Sequence, residues 1–246
     1  MPDPIFADPR LAALYDIVDD DRSDLVVYAG IVAELEASSV LDVGCGTGTL
    51  ACRLARLGVE VVGLDPAAAS LDVARRKPGA ERVRWIHGDG SSVPPLGVDL
   101  AMMTGNVAHV FISDADWLQA LGAVRGAVRD EGWLVFETRD PARRAWERWT
   151  KEHTYRELEV PDVGLVKTWT ELVDVQEPLV SFRYVFRFAR DSSELVSDST
   201  LRFREHDEIA ASLGEAGFRL RSVRGAPDRP GLELVFFAQR EAASPR

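Results

Sequence analysis

The segment Gly44-Cys45-Gly46-Thr47-Gly48 follows the apolar run Val40-Leu41-Asp42-Val43 and opens a helical pattern. Such a turn exposes main chain to a ligand. Glycines let the backbone turn sharply and approach closely, and helix N-terminal amides face the same space. The competing reading is a turn used only for packing. The spacing also separates nucleotide ligands. A dinucleotide fingerprint needs G-x-G-x-x-G or G-x-G-x-x-A. Here the third glycine comes one position early, and Thr49 stands where the last small residue should be. A nicotinamide oxidoreductase is therefore disfavoured. Asp65 ends Val62-Gly63-Leu64-Asp65-Pro66, where a carboxylate can accept hydrogen bonds from ribose hydroxyls. Its other reading is a cap for the helix at Ala67. Asp89, in His87-Gly88-Asp89-Gly90, can accept from an exocyclic amine of a purine, or serve as a turn aspartate.

The elements that must position these residues follow from periodicity. Val40–Val43, Val59–Leu64, Val83–Ile86, Val98–Met103 and Trp133–Thr138 read as buried strands. Helical patterns lie between them at Leu50–Leu57, Ala67–Arg76 and Ser113–Arg129. In the last, Trp117, Leu118, Leu121, Val124 and Val128 share a stripe, and Ser113 with Asp116 can cap the start. Strand-helix alternation at this spacing predicts a parallel sheet with helices on both faces. Residues 1–10 contain three prolines and read as an extended arm. Helical patterns follow to Glu36, interrupted by Asp19-Asp20-Asp21. After Asp140-Pro141 the rhythm changes. Val180, Phe182, Tyr184, Phe186 and Phe188 alternate with other residues at a period of two, the mark of a half-buried antiparallel strand. Residues 142–204 thus read as an inserted helix plus a three-stranded meander. A helix at His206–Ala216 and strands at Arg219–Arg224 and Leu232–Gln239 close the chain.

The block from Val40 to Gly48, then Asp65, then Gly88-Asp89, resembles the cofactor signatures of the class I S-adenosylmethionine-dependent methyltransferases, of the small-molecule type. The resemblance covers residues 40–140, and the stretch 201–218 is similar to the closing part of that domain. It implies a doubly wound, Rossmann-like α/β fold: a seven-stranded sheet with an antiparallel last strand, plus the inserted antiparallel meander as a cap. It implies three parts: an N-terminal helical cover (1–36), a core (37–141 and 205–241) and the cap (142–204). It also implies S-adenosylmethionine as cofactor. Gly44, Gly46 and Gly48 would lie under its methionine part, with Asp42 at the acidic position of the preceding strand. Asp65, next to Pro66, would hold the ribose, and Asp89, beside Gly90, the adenine amine. Thr104 and Asn106 stand where family members contact the cofactor and meet substrate. Tyr15 and Tyr28 would cover the cofactor, unless both are core tyrosines.

Methyl transfer is an in-line displacement at a sulfonium, in which the protein supplies position and environment. A dedicated base is optional. His109 is the best-placed imidazole and titrates near neutral pH, though it can equally be a packed histidine. Glu137 and Arg139 end the fifth strand, at the edge where doubly wound sheets bind ligands. They could touch substrate or pair with each other. Trp146, Trp149 and Trp169 could line an apolar pocket, with Arg143 and Arg144 to receive an acid. The other reading is a cap that buries its own aromatics. Cys45 reads as a small residue fitted to the loop, since no paired base is evident. No metal site is read.

Composition narrows the acceptor. The chain has 246 residues and a net charge of −11. Such a surface repels phosphate backbones, whose binding depends on Lys and Arg. The segment after the fourth strand also lacks an Asn-Pro-Pro-Tyr-like block. DNA is therefore not expected as a partner. No apolar run reaches transmembrane length, so no membrane is expected either. Met1-Pro2-Asp3-Pro4 lacks the basic and apolar regions of a secretory signal. Cys45 and Cys52 form neither a C-x-x-C pair nor a disulfide framework. The expectation is a cytoplasmic methyltransferase acting at N or O of a small molecule, with the exposed meander edge available for a homodimer. The alternatives are an RNA or protein methyltransferase and a non-catalytic cofactor-binding protein.

Overall fold

The computed structural model describes residues 1–19 and 21–242, so Asp20 of the acidic run lies outside the described residues. Near the N-terminus stand three short helices, α1 (Pro4–Ala7), α2 (Pro9–Ala12) and α3 (Tyr15–Val18), followed by α4 (Asp24–Glu34). This corrects the expected extended arm. Pro4 and Pro9 each occupy a first helical position, where a fixed φ favours the turn and no amide is missed. Asp8 caps the second turn by accepting from the amides of Arg10 (2.8 Å) and Leu11 (3.2 Å).

Strand and helix then alternate: β1 (Ser39–Val43), α5 (Thr49–Arg56), β2 (Glu60–Asp65), α6 (Ala68–Ala74), β3 (Val83–His87), β4 (Val98–Met103), α7 (Asp114–Ala127) and β5 (Val128–Arg139). Next come α8 (Lys151–Thr154), β6 (Arg156–Val160), β7 (Gly164–Gln176), β8 (Leu179–Phe188) and β9 (Glu194–Arg202). Then follow α9 (His206–Glu215), β10 (Phe218–Gly225) and β11 (Glu233–Arg240). Among the described residues the strands form two sheets. One has seven strands in the order β10-β11-β5-β4-β1-β2-β3, and β11 runs antiparallel to both its neighbours. The other is the antiparallel meander β6-β7-β8-β9. It has four strands where three were expected. After Arg156, Glu157-Leu158-Glu159-Val160 alternates charged with apolar residues, a pattern that an edge strand tolerates. The expected helix after Asp140 is instead a series of short turns ending in α8.

Alternation along β1 divides the main core. Leu41 and Val43 pack with Trp117, Leu121 and Val124 of α7 and with Ile209 and Leu213 of α9. Val40 packs on the other face with Tyr28 and Ile31 of α4 and with Leu50 and Leu54 of α5. A further cluster joins the N-terminal turns to the smaller sheet: Ile5, Leu11 and Leu14 lie against Val160, Val166, Phe186 and Phe188. Arg10 reinforces it, stacked 3.5 Å over Phe188 and paired with Asp191 at 2.9 Å.

His109 joins the two sheets. It is 1% exposed. Its Nδ1 lies 2.7 Å from the Arg202 carbonyl of β9, and its Nε2 accepts from the Arg139 amide at 2.9 Å. These partners fix the neutral tautomer with hydrogen on Nδ1. Burial drives the pKa down to about 4. Both nitrogens are spent on backbone, so the expected catalytic base is a structural link instead. His109→Ala is expected to lower stability at neutral pH by roughly 2–4 kcal/mol, read by urea unfolding. The sign with pH follows from the depressed pKa. The unfolded chain binds a proton here below its ordinary pKa, the folded chain only near 4. The gap between wild type and variant should therefore narrow as pH falls from about 6.5 towards 4, by up to about 1.4 kcal/mol per unit.

Candidate active site

The loop after β1 is held from beneath by the amides of Gly44 and Cys45, which donate to the Leu64 carbonyl at 2.8 and 3.1 Å. Gly48 turns away from the ligand space with φ of 73°. A Cβ there would meet Trp85 at 2.5 Å and Ala74 at 2.7 Å, so only glycine fits. Gly46 also has positive φ, but a Cβ on it would meet nothing within 4 Å. Its open side is where a ligand can lie against main chain.

Three carboxylates stand around this loop. Asp42 of β1 is 1% exposed, and its Oδ1 has no hydrogen-bond partner. Burial and the neighbouring Asp65 push its pKa up to about 7. Asp65, at the end of β2, accepts from the Gly46 amide through Oδ2 (2.8 Å) and from the Ala67 amide through Oδ1 (2.7 Å). Burial raises its pKa against the pull of those two amides. Asp89 is exposed and accepts from the Ser91 and Ser92 hydroxyls at 2.6 and 2.9 Å, which hold its pKa low. Burial raises the Cys45 thiol well above its usual range, which keeps it protonated.

A cavity of about 990 Å³ opens over these groups. Asp42, Gly44, Cys45, Gly46, Asp65, Pro66, Asp89, Gly90, Thr104, Tyr15 and Glu137 all line it. The fold sends the other candidates elsewhere. Tyr28 is buried in the α4–α5 core, its hydroxyl without a partner. Asn106 turns its Nδ2 to Glu233 (3.2 Å) and gives its amide to Glu137 (2.9 Å). Arg139 pairs with Glu233 at 3.3 Å, not with Glu137. Trp146 packs edge-on against Phe203, and Trp149 against Phe182. Trp169 donates to Glu171 at 2.6 Å and lies under Lys151. These tryptophans hold the smaller sheet together and do not line the cavity. Arg143 and Arg144 are exposed and pair with Asp140 and Glu147.

Several residues of the site escaped sequence reasoning. Phe6 reaches the cavity from the N-terminal turns, its ring 5.4 Å from that of Tyr15, which the sequence did point to. Asp16 ties those turns to the loop: it accepts from Thr47 Oγ1 at 2.6 Å and pairs with Lys77 at 2.5 Å. Arg22 and Arg229 also line the cavity. Arg22 pairs with Asp24 at 3.2 Å and Arg229 with Glu233 at 2.9 Å. Only the fold-back of the N-terminal turns and of the β10–β11 connection brings these residues together, and no local pattern announces either. Glu137 is 2% exposed. Burial, then the nearby Glu233 carboxylate, push its pKa up to about 7.

A methyltransferase-domain family model matches residues 40–132. The cypemycin N-terminal methyltransferase of a Streptomyces species is 27% identical over 146 residues, 58% of this chain and 60% of that protein. The chain thus spans less than two thirds of that relative. Among solved structures, the CcbJ methyltransferase of Streptomyces caelestis superposes with a TM-score of 0.74 at 20% identity. The match covers 93% of this chain and 96% of that one. The sugar N-methyltransferase KedS8 of a Streptoalloteichus species gives 0.74 at 18% identity, over 93% of both chains. These likenesses are of fold. Residues 40–132 are thus matched by a methyltransferase-domain model, and the solved methyltransferases share the fold.

Proposed function

We propose that this chain is an enzyme that transfers a methyl group from S-adenosylmethionine to nitrogen or oxygen of a small-molecule acceptor. One observation carries the reading: a buried carboxylate without a partner, Asp42, faces a cavity built on an open glycine loop. A buried charge calls for a counter-charge. S-adenosylmethionine brings an ammonium and a sulfonium, so the residues present fit it. When bound, it supplies an electrophilic methyl on positive sulfur.

The protein's own work is to bind, orient and exclude water. Asp65 keeps free lone pairs after accepting from Gly46 and Ala67, and these can receive the ribose hydroxyls. Asp89 is held ready for the adenine amine by Ser91 and Ser92. Phe6 and Tyr15 line the cavity from the N-terminal turns, where they would cover a bound ligand. The size of the cavity and the solved sugar N-methyltransferase support a small acceptor. The domain division into cover, core and cap, and a homodimer through the smaller sheet, belong to the same proposal.

Asp65→Ala removes both the ribose acceptor and the tie to Gly46. Calorimetric titration with S-adenosylhomocysteine should show affinity at least about 100-fold weaker, the equivalent of two charged hydrogen bonds. Unchanged affinity in a folded variant contradicts the assignment. Asp42, faced by Asp65, Cys45 and Arg22, is largely neutral below its pKa of about 7. A ligand ammonium prefers the ionised form. Affinity should therefore rise with pH up to about 7, by at most about tenfold per unit, and level off above it. Asp42→Asn should flatten that rise.

A further inference from the structure

We propose that the acceptor is an amine that arrives protonated, and that Glu137 takes its proton before the methyl group is transferred. The inference rests on the reading above and narrows it. Beyond the three carboxylates around the glycine loop, the cavity is lined by Asp3, Asp19, Asp24, Asp116, Asp198 and Glu137. Against these stand Arg22, Arg229 and the amino terminus at Met1, which faces Asp3, with His87 also in the lining; both arginines are committed, and of the acids Asp198 is paired with Arg183 at 2.6 Å. Arg22 is shared by Asp24 and Asp19, at 3.2 and 3.8 Å, and Arg229 is held by Glu233 at 2.9 Å. A phosphate or carboxylate on the acceptor would have to displace one of these acids while surrounded by like charge. A cation would enter with the field in its favour.

Glu137 gives that field a point of contact. Its Oε1 accepts from the Asn106 amide at 2.9 Å, which fixes the carboxylate beside the loop that follows β4. Thr104 and Gly105 of that loop line the same cavity. The other oxygen, Oε2, makes no hydrogen bond among the described residues, on a side chain that is 2% exposed. It is a fixed acceptor with one oxygen free, on a residue that lines the cavity. The groups around Glu137 are Asn106 of the β4 loop, Asp228 and Arg229 of the β10–β11 connection, and Glu233 at the start of β11, which Arg139 also pairs with. Burial, with the Glu233 carboxylate beside it, leaves it poised to change charge near neutral pH.

The balance of the step is simple. One ammonium N–H proton passes to Oε2, and its bonding pair stays on nitrogen as the lone pair. That pair forms the new N–C bond, while the C–S electrons remain on sulfur, which becomes neutral. The product leaves as a methylated ammonium, and Glu137 returns its proton to water.

The test begins with the wild-type protein, labelled S-adenosylmethionine and a panel of matched acceptors. These are primary and secondary amines, their N-acetyl forms, alcohols and phenols, and the same amines carrying a phosphate or carboxylate. Transfer to free amines is expected, at least tenfold slower once an anionic group is added. Transfer confined to hydroxyls, equal transfer to phosphorylated amines, or no amine methylated by protein that binds S-adenosylhomocysteine overturns the inference. Failure to bind S-adenosylhomocysteine overturns instead the reading on which it rests.

A second readout does not depend on turnover. At about pH 6, below the pKa of Glu137, the best amine should release close to one proton on joining the S-adenosylhomocysteine complex. Calorimetry in two buffers of different ionisation enthalpy measures it. Glu137→Gln should release none, and should lower kcat by about 100-fold or more. Proton release unchanged in that variant removes Glu137 from the role.

Discussion

A single carboxylate fixes the geometry of the binding edge. Asp65 ends β2 and accepts from the amides of Gly46 and Ala67 at once. It therefore holds the glycine loop and the approach to α6 at a set separation. Each bond is charge-assisted and largely shielded from water, which makes it stronger than a neutral surface contact. The loop cannot slacken without breaking one of them. Gly48, turned against Trp85 and Ala74, closes the same loop from below. The open face of Gly46 is what these constraints leave for a ligand.

Around that platform the chain assembles a cavity from distant segments. The N-terminal turns pack on the smaller sheet through Ile5, Leu11 and Leu14, and Asp16 pins them to Thr47 and Lys77. His109 holds the end of β5 to the end of β9. Roof, floor and wall are thus coupled by a few buried polar contacts. Each would be costly to leave unpaired. The price of this arrangement is a set of buried acids with raised pKa values, Asp42 and Glu137 among them.

Most of the larger sheet was legible in the sequence because its strands are buried runs bounded by strong turn signals. The loop and its carboxylates were legible for a related reason: local spacing along the chain sets their approach to one cavity. Asp65 and Asp89 satisfy their structural readings, since Asp65 caps the approach to α6 and Asp89 forms a turn, while both still line the cavity. What could not be read depends on contacts far apart in the chain. Tyr15 and Tyr28 share the same helical character, yet one meets the cavity and the other the core. The two partners of His109 lie 30 and 93 residues away. The fourth strand of the smaller sheet was hidden by its charged alternation. The short N-terminal helices were hidden by prolines that here begin turns.

The most direct measurement is a crystal structure of the protein with S-adenosylhomocysteine. The account predicts ribose oxygens within about 3 Å of Asp65, with the Gly46 and Ala67 amides still bonded to the same carboxylate. It also predicts the ligand ammonium on the side of the loop where Asp42 is buried. A ligand bound away from Asp65, or one that turns this carboxylate off the loop, would contradict it.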